Sequence, residues 1–155
     1  MTTPTPPIEL TGTAERLAGD GVGIAAAVLD ELSAVCPVVT DIGERAEVSR
    51  DWWPVGLKWA LDGQVLRRAA VVCRPRDAAD VAGVLAVCTR EGIPCTAAAG
   101  RSSVTGSTVP VFGGVLLDLS ALQGVVSVDS TGGVVEVLAG TFGPDLEREL
   151  ATHGQ

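Results

Sequence analysis

The sequence predicts an α+β fold, a parallel βαβ unit followed by the start of an antiparallel subdomain, on three observations. Apolar runs at residues 69–73 and 93–98 flank a stretch whose apolar residues recur at helical spacing. A third apolar run, residues 115–119, follows a loop rich in Gly, Ser and Thr. Beyond Leu122, two valine-rich runs enclose Asp129-Ser130-Thr131-Gly132-Gly133, a turn-rich connection that suits a hairpin rather than another crossover.

Taken in order, residues 1 to about 11 read as a frayed lead-in. Residues 21–32 have helical spacing, with Ile24, Ala27, Val28 and Leu32 on one side and Asp30 and Glu31 opposite. Pro37 stops that helix, Val38 and Val39 suit a short strand, and the polar residues 41–49 read as a surface segment. Trp52, Trp53 and Trp59 then fall close together. In a chain with 3% aromatics they serve as anchors for a long N-terminal segment rather than as stacking platforms for a ring.

The pattern sharpens at Ala69. Arg74-Pro75 closes the first strand, Asp77 stands at a helix N-cap, and Asp80 follows three residues later as in a capping box. The helix face is Val81, Val84, Leu85 and Cys88, and Gly92 followed by Pro94 is the stop. Strand, helix and strand then form a parallel unit with a right-handed crossover, whose ligands favour the loops after the strands. Phe142, Leu146 and Leu150, with Pro144 early and Gly154 late, predict a helix over residues 143–152. The expected organisation is 1–68 as lead-in and helical segment and 69–155 as the N-terminal portion of a domain. Within the latter, 69–122 is the βαβ subdomain and 123–155 begins a second, incomplete at the C-terminus.

Composition narrows the function. Eleven basic against nineteen acidic residues give a net charge of −8, which repels phosphate backbones and excludes nucleic acid as a partner. Arg67, Arg68, Arg74 and Arg76 read as a solvated edge. Cys36, Cys73, Cys88 and Cys95 lack metal-ligand spacing and fit a reduced, cytoplasmic setting. The N-terminus lacks the features of a secretory leader, and the uncharged run 102–117 is too short and too often broken by Gly and Pro to span a membrane.

The loop Ala99-Gly100-Arg101-Ser102-Ser103-Val104-Thr105-Gly106-Ser107 carries the chemistry. Such a loop turns several backbone N–H groups and hydroxyls into one concavity, which suits a diphosphate, and Arg101 adds positive charge. His153 has no partner suggesting a triad or metal, and Asp145, Glu147 and Glu149 suit the first turns of a helix and receive no catalytic role.

Pro75-x-Asp77, Gly92-Ile93-Pro94, the Ser/Gly loop, Gly113-Gly114-Val115-x-x-Asp118-Leu119-Ser120 and Val134-x-Glu136-Val137-x-Ala139-Gly140-Thr141 resemble, in order and spacing, the PCMH-type FAD-binding domain of the vanillyl-alcohol-oxidase family. Among its members the chain is most similar to bacterial FAD-linked oxidases of the glycolate oxidase and D-lactate dehydrogenase type, including alkyldihydroxyacetonephosphate-synthase-like proteins. Asp51-Trp52-Trp53-Pro54 and Leu57-x-Trp59 resemble the segment before the domain in that last branch.

The resemblance implies that Ala97, Ala98, Ala99, Gly100, Arg101, Ser102 and Ser103, with Gly106 and Ser107, wrap the FAD pyrophosphate, and that Asp118 lies near the cofactor. Ala99 and Arg101 stand where the family usually has glycine. Ser102 stands where some relatives carry a flavin-linked histidine, so FAD is expected to be noncovalent. The implied activity is oxidation of a 2-hydroxy acid or similar small alcohol through flavin N5, with the small-molecule substrate bound by parts absent from this chain. The alternatives are a flavin-binding fragment without turnover, a non-redox alkylglycerone-phosphate-synthase-like transferase, and a flavin-free interaction module. A homo-oligomer stays open.

Overall fold

The three apolar runs come together in one four-stranded sheet. The computed structural model describes residues 14–155, so the expected lead-in at residues 1 to about 11 lies outside the described residues. The sheet consists of β2 (Val38–Val39), β4 (Val71–Cys73), β6 (Val115–Asp118) and β5 (Cys95–Ala98), side by side in that order. β4, β5 and β6 run parallel, while β2 joins the edge antiparallel. Every residue of β4 and β6 is buried, which explains why Val71-Val72-Cys73 and Val115-Leu116-Leu117 read as continuous apolar runs rather than alternating ones.

Helix α4 (Ala78–Glu91) joins β4 to β5. The Asp77 carboxylate accepts the Asp80 N–H at 2.9 Å, and Gly92 ends the helix at φ +64°, the left-handed conformation that glycine adopts without strain. The reciprocal half of a capping box is missing. Asp80 instead accepts from the backbone and guanidinium of Arg76, at 2.9 and 2.8 Å. Replacing Asp77 with alanine leaves an N-terminal amide without its acceptor and is expected to destabilise the chain by about 1 kcal/mol, measured by urea unfolding. The buried face is Val84, Val87 and Cys88, with Val81 partly buried; Leu85 points outward at 43% exposure. In the sheet β6 inserts between β4 and β5, an order that the sequence does not state.

The N-terminal half departs further from expectation. The first helix, α1 (Ala26–Val35), starts later than residue 21, because Val22 is held extended: its N–H donates to Phe112 O at 2.8 Å and its carbonyl accepts from Gly114 at 2.7 Å. Ile24, Val28 and Leu32 pack toward the core as expected, whereas Ala27 is exposed. Residues 41–49 are not a polar surface segment. They form α2 (Ile42–Val48), with Asp41 accepting the Glu44 N–H at 2.9 Å and with Ala46, Val48 and Ser49 buried. The spacing Asp41-x-x-Glu44 is the N-terminal signal that marks it.

Of the four arginines expected on a solvated edge, Arg76 is exposed and Arg74 partly so, whereas Arg67 and Arg68 are withdrawn from solvent. Short strands β1 (Ala14–Glu15) and β3 (Gln64–Val65) pair in parallel and bring Glu15 to Arg67 and Arg68, at 2.7 and 3.0 Å, with Arg67 5% exposed. Arg74 bridges Glu44 and Asp118, both at 3.3 Å, and Arg76 holds Asp80. Pairing across more than 50 residues, as for Arg67 and Glu15, leaves no local trace in the sequence.

Beyond the sheet, β7 (Val125–Asp129) and β8 (Val134–Val137) form the expected antiparallel hairpin, with an irregularity between Val125 and Ser127. The closing helix α5 (Gly143–Thr152) has the expected bounds and carries no fully buried residue. Among the described residues, no helix is long and apolar enough to cross a membrane.

Candidate functional site

The loop that the sequence singles out leaves the C-terminal end of β5 beside the C-terminal end of β6, where Ala98 and Asp118 are register partners. Ligands of parallel sheets gather there because the strand ends leave a crevice between diverging loops. Gly114 feeds β6 into this register at φ +69°, and its neighbour Val115 donates to Pro94 O at 2.9 Å.

Two positions in the loop take the left-handed conformation, Arg101 at φ +50° and Gly106 at φ +78°. Arg101 is the one non-glycine residue among those described with a positive φ. An L residue there costs roughly 1–2 kcal/mol, so the chain keeps a glycine-like backbone while adding a guanidinium. Burial pushes the Arg101 pKa below its ordinary value, opposed by the carboxylates of Asp118 and Glu47. Among the described residues, the N–H groups of Gly100, Ser102, Ser103 and Val104 enter no backbone–backbone hydrogen bond. Ser103 Oγ lies 3.1 Å from Thr105 Oγ1 and accepts the Thr105 N–H at 3.2 Å, and Val109 N–H closes a turn on Gly106 O at 3.1 Å.

The expected site residues fall into two groups. Ala97, Ser102 and Ser107 are exposed, and Ala99, Gly100, Arg101, Ser103 and Gly106 are half-buried. Ala98 contributes backbone only; its side chain packs with Val48, Ala69, Val72 and Leu116 in the core. Asp118 is buried, receives Arg74 Nε at 3.3 Å and the Ser120 N–H at 3.1 Å, and thereby stitches β6 to the next turn.

Sequence reasoning missed how the loop is braced. Trp52 N–H donates to Ser103 O at 2.9 Å, and the Trp53 ring lies against Gly106, where an added Cβ would come within 3.0 Å of it. Trp53 caps helix α3 (Pro54–Leu61) and meets Trp59 edge-on at 5.3 Å, while Arg16 sits 4.8 Å over Trp59. The anchoring role expected of the tryptophans holds for Trp53 and Trp59; Trp52 is 38% exposed.

A groove of about 420 Å³ lies away from this loop, lined by Gln123, Gly124 and Val125 on one side and Phe142, Leu146 and Glu149 on the other. Its acid Asp145 pairs with Arg148, and Glu149 lies 3.7 Å from His153. Among the described residues no cluster of His, Cys, Asp and Glu suits a metal ion.

The donor set, N–H groups and hydroxyls with one guanidinium and no carboxylate in residues 99–107, fits a diphosphate. Residues 69–155 match the model of a family described as FAD binding domain. D-lactate dehydrogenase from Anaerostipes hadrus is 26% identical over 87 residues, covering 56% of this chain and 18% of that protein. Among solved structures, an alkyldihydroxyacetonephosphate synthase superposes with a TM-score of 0.76 at 18% identity, over 95% of this chain and 29% of that one. A p-cresol methylhydroxylase with substrate bound gives 0.67 at 18% identity, over 85% and 26%. The likeness to both structures is one of fold, and the chain spans less than a third of each relative.

Proposed function

Because the chain belongs to the FAD binding domain family, we infer that Ala97, Ala98, Ala99, Gly100, Arg101, Ser102, Ser103, Gly106 and Ser107 hold the diphosphate of FAD, with Asp118 ordering the crevice wall. One observation carries the assignment: a donor-rich loop with two left-handed residues leaves β5 next to the end of β6. The N–H groups of Gly100 and residues 102–104 bind the anion, and Arg101 offsets its charge. Bound FAD would supply hydride acceptance at N5. Attachment is noncovalent in this reading, since Ser102 cannot form a histidyl bond and the sole histidine, His153, caps α5.

The whole protein is read as an oxidoreductase acting on a 2-hydroxy acid or similar small alcohol, supported by the likeness to a D-lactate dehydrogenase. The alkyldihydroxyacetonephosphate synthase fold supports the transferase alternative without favouring it. In either case residues 69–155 carry the cofactor and residues 14–68 pack against them. Four unbridged cysteines support a reducing, cytoplasmic setting.

The test is an absorbance spectrum of the purified chain after FAD is added and the excess removed. Flavin bands are expected to persist in the parent chain and to fall at least tenfold in Gly100→Leu and Gly106→Leu variants that still melt cooperatively. A folded chain that stays colourless at saturating FAD overturns the assignment.

A further inference from the structure

We propose that Asp51-Trp52-Trp53 is a positioning strap that sets the conformation of the diphosphate loop before the ligand arrives; the proposal rests on the reading of that loop given above. The loop has no helix or ladder of its own between β5 and β6, so something else must fix it. Two consecutive strap residues hold it at two points. The Trp52 N–H binds Ser103 O at 2.9 Å, and the Trp53 ring presses on Gly106, with ring atoms 3.0, 3.4 and 3.5 Å from the place a Cβ would occupy. Ser103 and Gly106 bound the turn that carries the Ser103 and Thr105 hydroxyls.

The strap is itself fixed. Asp51 is 1% exposed and accepts the Trp53 N–H on Oδ1 at 3.0 Å, an Asx turn that aims the indole. On the other side the indole stands edge-on to Trp59 at 86°, and Arg16 lies over Trp59, so Arg16, Trp59, Trp53 and Gly106 form one packed column. The column also gives Gly106 a reason to be glycine that is separate from ligand access. Ordering the loop in advance removes a conformational cost from binding.

The experiment uses the 155-residue chain without FAD, comparing parent, Trp53→Leu and Trp53→Phe by amide hydrogen exchange and by the rate of tryptic cleavage after Arg101. Loss of the indole is expected to speed exchange at Thr105 and Val109, and cleavage at Arg101, at least tenfold, while amides of β6 and α4 keep their protection. The Phe variant, which retains a ring, is expected to stay within threefold of the parent. Unchanged loop exchange in Trp53→Leu, or acceleration spread equally over β6 and α4, overturns the strap. FAD affinity of the same variants tests the underlying reading separately. A loosened loop with unaltered FAD affinity leaves the strap standing and removes the diphosphate from the loop.

Discussion

Alanine at Gly114 is expected to prevent stable folding. Its Cβ would lie 2.2 Å from the Pro94 carbonyl oxygen and 3.1 Å from the carbonyl carbon, both backbone atoms, at φ +69°. That carbonyl accepts the Val115 N–H at 2.9 Å, the hydrogen bond that opens the β5–β6 pairing. A flexible side chain could move aside; here the register must break. The predicted loss exceeds about 4 kcal/mol, a large share of the roughly 5–15 kcal/mol that holds a typical domain together. Gly23→Ala is the control, since an added Cβ meets nothing within 4 Å there and the change is expected to fall within about 0.5 kcal/mol. Circular dichroism during thermal unfolding distinguishes the two.

The second large effect is expected at Glu15. Its carboxylate accepts from Arg67 Nη1 at 2.7 Å, Arg68 Nε at 3.0 Å and the Arg68 N–H at 3.1 Å. Glu15→Ala strands the Arg67 guanidinium, which is 5% exposed and, among the described residues, keeps only the carbonyls of Ala18 and Gly19. Removing one partner of a fully buried pair costs about 3–5 kcal/mol because the other charge stays desolvated, and for this part-buried pair that range is the upper limit.

The same site predicts a pH dependence. Burial alone would raise the Glu15 pKa, but hydrogen bonds from Arg68 and the charges of Arg67 and Arg68 outweigh it and hold the carboxyl below its ordinary value of 4.5. A depressed carboxyl stabilises the fold above that ordinary value, and the stabilisation is lost as pH falls through the lower folded value. Urea unfolding between pH 7 and pH 3 is therefore expected to show a steeper acid loss in the parent chain than in Glu15→Gln. Equal slopes would remove the ion pair as a source of stability.

What could be read from the sequence follows the range over which each feature is determined. Helix α4 is legible because Asp77 and Gly92 punctuate it locally, and α5 because Phe142, Leu146 and Leu150 repeat at intervals of four. The fold class follows from the turn residues 129–133, which settle the hairpin, and from the unbroken apolar runs of β4 and β6. Helix α2 escapes the reading because Ala46 and Val48 are its only buried residues, too few for a periodic stripe. Spatial order escapes too, since nothing in residues 71–118 states that the third strand enters between the first two. Of the candidate site, the loop is legible from its composition. Its brace is not, because Trp52 and Trp53 meet partners about fifty residues away, at Ser103 and Gly106. Asp118 is named by the family motif, but its ties to Arg74 and Ser120 emerge only in three dimensions.

Grip on a diphosphate by residues 97–107 is the central claim, and binding of FAD, riboflavin and ADP to the 155-residue chain by equilibrium dialysis tests it most directly. Riboflavin carries the same ring without the diphosphate, and ADP the diphosphate without the ring. FAD is expected to bind, ADP to displace it, and riboflavin to bind at least tenfold more weakly. Equal binding of FAD and riboflavin, or a folded chain that takes up no FAD, would contradict the claim.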